Sequence, residues 1–140
     1  MPPEQTPNWH PISSALPMIA RMVDDLLEGA QEQYQTFQEV KDRPYVLNDA
    51  IVQRTIRVYT EQMEDIWLYE EQLARWRKED LTSAQAQEIG RLDKQVEQLR
   101  KVLTDILTLA DKLKEGTIEK ILAKDDAELA LEVLSGKWKL

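Results

Sequence analysis

The chain has 140 residues, 42 % of them hydrophobic and 31 % charged, with a formal net charge of −8 and no cysteine. That is enough apolar material for one modest core. It leaves no thiolate chemistry, no disulfide framework and no Cys-ligated zinc site. The acidic balance repels phosphate backbones and anionic lipid head groups, and Lys and Arg are interleaved with Glu and Asp without forming a basic patch. Nucleic acid and membrane are therefore not expected partners. No run of about 18 apolar residues is present to cross a bilayer.

Residues 1–13 carry Pro2, Pro3, Pro7 and Pro11 and read as an extended arm, because proline fixes φ and removes a donor. The arm has neither a basic start nor an apolar run of signal-peptide length, which points to a cytoplasmic protein. A first helix is expected from Ser14, whose hydroxyl can cap it, with Pro17 tolerated near its start. Ile19, Val23, Leu26, Ala30, Tyr34 and Phe37 then recur at spacings of three and four, which gathers them on one side of a helix. Asp24, Asp25, Glu32 and Gln35 take the other side, and Arg43-Pro44 ends the segment.

Asn48 is a suitable cap for a second helix over about 49–79. Val52, Ile56, Tyr59, Met63, Ile66 and Leu73 form its stripe, widened by Val58, Trp67, Tyr69 and Trp76 to about half the circumference. A stripe that wide needs neighbours on two sides. Thr82 through Gln85 then read as a capping box for a third helix to about 115. In it Ile89, Leu92, Val96, Leu99, Leu103, Ile106, Ala110 and Leu113 alternate spacings of three and four without a lapse, a coiled-coil-like heptad seam. The seam fits either the inner edge of a three-helix bundle or pairing with a second copy across a two-fold axis. Gly116 is expected as a left-handed cap, followed by a short turn over 118–124. Asp125 to Glu128 opens a last helix that ends at Gly136, and Leu129, Val133 and Leu134 can dock it.

The expected architecture is thus all-α: an elongated antiparallel bundle of three long helices over 14–115, preceded by the arm and followed by a short C-terminal helical pair and tail over 116–140.

Candidate chemistry is thin. The only imidazole is His10, in the Pro-flanked arm, and no cysteine can serve as nucleophile, so Ser/His and Cys/His arrangements have nothing to work with. The glycines are too few and too far apart to cradle phosphate. Glu61, Glu64, Asp65, Glu70 and Glu71 crowd the second helix, but the Glu-x-x-His pair of di-metal bundles is missing. Glu70 alone falls within the apolar stripe, where it is expected either to pair with a cation or to lie near an end. No enzyme activity, cofactor or metal is expected.

The informative stretch is 62–77. Trp67, Tyr69, Arg75, Trp76 and Arg77 are of the types enriched at binding hot spots. Each tryptophan is either a core residue flanking a wide face or a contact to a second subunit or partner. The leading functional expectation is a non-enzymatic protein–protein interaction module, with an adaptor, assembly or regulatory role, that forms homodimers and engages a protein partner. The alternatives are an acidic decoy or antagonist that binds a basic surface of another protein, and a carboxylate metal site or small-ligand site within the bundle.

Overall fold

A computed structural model describes residues 9–123. Three long helices account for most of it: α1 (Ile12–Glu39), α2 (Asp49–Arg77) and α3 (Ser83–Leu113). Single 3₁₀ turns lie at Pro44–Val46 and Lys114–Gly116, and a short helix, α4, runs over 118–123. No strand occurs among the described residues. The order is up-down-up, and at ~1.5 Å per residue each long helix spans on the order of 45 Å.

Local chemistry explains most of the boundaries. The Asn48 side chain accepts the Ile51 amide at 2.8 Å, which satisfies one of the free donors at the start of α2. At α3 the capping box closes in both directions, Thr82 Oγ1 accepting from Gln85 N at 3.1 Å and Gln85 Oε1 accepting from Thr82 N at 2.9 Å. The start of α1 differs from the sequence expectation. Pro11, not Ser14, occupies the cap, with extended φ −65° and ψ 142° and no side-chain cap bond. Ser14 instead lies inside the first turn, and its hydroxyl donates back to the Pro11 carbonyl at 3.4 Å. Pro17 consequently falls in the second turn, where its missing N–H removes one rung of the helix ladder.

α3 is the centre of the bundle. Both α1 and α2 pack along it, while α1 and α2 approach each other less closely. All eight positions of its heptad seam, from Ile89 to Leu113, are buried inside this one chain. The seam is therefore the inner edge of the bundle. Against it α1 places Ala15, Leu16, Ile19, Val23, Leu27 and Ala30, and α2 places Ile66, Leu73 and Trp76. On α1 the sequence pattern chose Leu26, but Leu27 is the buried member of the pair and Leu26 is only partly covered. Because the inner face of α1 turns toward α3, the row carrying Leu16, Val23 and Leu27 is favoured over the row carrying Leu26.

A second cluster closes the far end, where Phe37, Leu47, Val52, Ala110 and Leu113 are buried together. Gly116 sits above it, but not as a left-handed cap. Its φ lies outside the left-handed range, and its role is close approach: a Cβ there would stand 2.5 Å from Pro44 Cγ. That approach lets α4 fasten to the start of α2. Ile118 N donates to the Leu47 carbonyl at 2.9 Å, and the Asp49 amide donates to Glu119 Oε2 at 2.9 Å. The Asp49 carboxylate accepts from the buried Thr117 hydroxyl at 2.5 Å and from Lys120 Nζ at 3.1 Å. The helix expected over 125–136 and the Trp138 tail lie outside the described residues.

Candidate interaction surface on the second helix

The five sequence-selected residues do not share one environment. Trp76 is fully buried and belongs to the main core. Its indole Nε1 donates to the His10 carbonyl at 2.8 Å, the polar partner a buried tryptophan requires. Tyr69 is half-buried against the same core, and desolvation, with the nearby Asp65 charge second, pushes its hydroxyl pKa up. Trp67 is 38 % exposed. Arg75 and Arg77 are exposed and paired, Arg75 with Glu71 at 3.2 Å and Arg77 with Asp93 of α3 at 3.3 Å. Trp67, Glu71 and Arg75 are spaced four apart and form one outward row of α2.

The residue that unites this surface was not singled out from the sequence. Trp9, at the end of the Pro-rich arm, sets its ring edge-on to Trp67, with centroids 6.4 Å apart and an interplanar angle of 75°. The Arg75 guanidinium carbon stands 4.4 Å from the centroid of the Trp9 ring, a cation–π contact. One residue further, the arm crosses to the neighbouring row of α2. There Gln72, only 4 % exposed, reads the His10 main chain with both ends of its amide. Its Oε1 accepts from His10 N at 2.9 Å, and its Nε2 donates to His10 O at 3.5 Å. Gln72, an uncharged polar residue in the last turns of a helix, gave no signal in the sequence, because its partner lies 62 positions away.

The acidic side chains of α2 are solvated or paired rather than convergent. Glu70, the one carboxylate within the apolar stripe, forms an ion pair with Arg100 of α3 at 2.5 Å, with both side chains about half exposed. Among the described residues no group of three or more His, Asp or Glu side chains is placed to hold a metal ion. A further charge cluster fastens α1 to α3. Arg91 donates to both Asp24 carboxylate oxygens at 2.9 Å and to Glu88 Oε1 at 2.6 Å, and Gln95 Nε2 adds a bond to Asp24 at 3.0 Å. The Arg91 hydrogen bonds hold the Asp24 carboxyl below its ordinary value of 3.8.

The clefts of the bundle are surface grooves between helices. One of 410 Å³ runs between α1 and α3 and is lined by Tyr34, Gln38, Asp105, Leu109 and Lys112 among others. Another of 380 Å³ lies between α1 and α2, where Gln33 faces Arg54, Thr55, Val58 and Tyr59. Neither gathers a nucleophile with a base. No described helix is long and apolar enough to cross a membrane. The chain matches no protein-family model, and comparison with curated proteins and with solved structures gives no significant match.

Proposed function

We propose that this protein is a non-enzymatic helical-bundle interaction module that self-associates and offers its outer helix faces to protein partners, in an adaptor, assembly or regulatory role. The observation that carries the reading is the composition of the outward row of α2. Trp67 stands 38 % exposed, and the Trp9 ring lies between it and the Arg75 guanidinium, on a face that the main core does not use. Tryptophan and arginine held rigidly at a surface are the residue types that dominate binding energy, since they offer large contact area at low entropic cost. Further exposed apolar side chains, Met18 and Met22 on α1 and Ile51 on α2, extend the same outward character. Because the α3 seam is consumed within the chain, a second copy has to meet one of these outer faces.

The test is solution mass against concentration at low and high salt, for the native chain and for Trp67→Ser. A mass that rises toward a dimer, changes little with salt and falls back in the variant supports the reading, because apolar contacts are weakly screened. A monomer mass at every concentration removes self-association. An association that collapses with salt favours instead an acidic surface seeking a basic partner.

A further inference from the structure

We infer that the α2 surface bounded by Trp67, Gln72, Arg75 and Trp76 is a docking site for an extended Trp-x-Pro segment, and that Trp9–Pro11 of one copy exchanges onto the same site of a second copy. The inference rests on the interaction-module reading and names the partner and the contact.

Three observations carry it. First, the site reads backbone. Gln72 offers an acceptor to His10 N and a donor to His10 O, as a neighbouring strand would, and Trp76 Nε1 adds a second donor to the same carbonyl. The acceptor and donor of this one amide match the N–H and C=O of a single residue in an extended occupant. Second, specificity comes from one side chain, the Trp9 ring, held between the Trp67 edge and the Arg75 guanidinium. The His10 side chain is exposed, and the following Pro11 has no N–H to satisfy. The motif is therefore aromatic, any residue, proline, and every copy of the chain carries one. Third, the joint between segment and bundle is a single residue. Pro11 is both the last residue of the segment and the uncapped start of α1, with φ fixed by its ring. A one-residue joint lets the segment swing while α1 stays packed, and exchange of a terminal element between identical copies is a low-cost route to dimers. Nothing in the recognition distinguishes the chain's own segment from its neighbour's.

Two measurements on the full chain test this. In Trp9→Ala, titration with a synthetic peptide of residues 1–11 should shift the Trp76 indole N–H and Gln72 side-chain amide resonances saturably. The same peptide carrying alanine at position 9 should not shift them. Adding Gln72→Ala to the protein should weaken binding by roughly thirtyfold, the equivalent of its two hydrogen bonds to His10. Independently of any destabilised variant, the absence of native cysteine makes a nitroxide at His10→Cys unique. In a mixture of nitroxide-bearing copies with isotope-labelled native copies, exchange should broaden the Trp76 indole signal of the labelled copies.

Absence of saturable shifts, or equal binding by the alanine peptide, overturns the docking site. Peptide binding without broadening between copies overturns the exchange. Self-association that persists undiminished in Trp9→Ala also overturns the exchange while leaving the broader interaction-module reading intact.

Discussion

Leu103→Ala is the sharpest test of the packing argument. Leu103 lies mid-way along the α3 seam, in the core shared by all three long helices, and is 0 % exposed. Truncating a buried leucine removes its transfer free energy and leaves a cavity that its neighbours fill only in part, a loss of roughly 3–4 kcal/mol. With an unfolding entropy of ~2.1 cal/mol/K per residue over the 115 described residues, 1 kcal/mol corresponds to ~4 °C. The melting temperature followed by circular dichroism at 222 nm should therefore fall by about 12–16 °C. Met22→Ala is the matched control. Met22 is 42 % exposed on α1, and its loss should stay within ~0.5 kcal/mol, or ~2 °C. Leu103→Asp, which would bury an unpaired carboxylate, should abolish the cooperative transition. A Leu103→Ala melting temperature within ~2 °C of native would refute the central placement of α3.

The glycines give predictions of opposite sign. Gly29→Ala and Gly90→Ala meet no neighbouring atom within 4 Å in helix interiors, and each should raise stability by about 0.5–1 kcal/mol in denaturant titration. Gly116→Ala drives a methyl into the stiff Pro44 ring. It should cost about 1–3 kcal/mol and speed amide exchange at Ile118, whose N–H reaches Leu47 across that contact. Thr82→Ala removes one arm of the α3 capping box and should cost about 1 kcal/mol in the same titration. At acid pH, Asp49 and Asp24 act together. Hydrogen bonds from Thr117 and Lys120 depress the Asp49 carboxyl below 3.8, as Arg91 depresses Asp24. A depressed folded value means the unfolded chain takes up the proton first, so the stabilisation is present above about pH 3.8 and is lost as pH falls through the folded values. Asp49→Asn should flatten the acid limb of stability against pH and leave the pH 7 to 9 region parallel to native.

What the sequence revealed follows from range. The α3 seam needs only the period of 3.6 and a sustained run, and all eight of its positions are buried as read. Asn48 and the Thr82 box are equally local, since each is set by residues within one turn. Errors arise where a distant neighbour decides. Ser14 has the right chemistry for a cap, but Pro11 supplies a fixed φ three residues earlier, once the arm is pinned at His10. Gly116 has the composition of a left-handed cap, but the Pro44 ring, 72 positions away in sequence, requires its missing side chain for another reason. The two tryptophans of α2 could not be told apart by angle alone. Trp76 is buried and Trp67 exposed because of where α1 and the arm lie, a matter of tertiary placement.

The same tertiary placement separates the energetics of the arm from those of the bundle. Because α1 and α2 each pack chiefly on α3, and Trp9, His10 and Pro11 lie outside the main core, the packing of the three helices does not rest on the arm. The clasp amounts to three hydrogen bonds onto His10, of about 1 kcal/mol net each, together with one aromatic and one cation–π contact of about the same order. That sums to about 5 kcal/mol, at the low end of the roughly 5–15 kcal/mol that holds a domain together, so the segment can open before the helices unfold. Opening uncovers Gln72 and the inner edge of Trp67 together, a polar and an apolar demand that water meets only in part. A surface that is costly to leave bare, and whose cover can lift without unfolding the helices, favours any second segment of the same chemistry, and every other copy of this chain carries one.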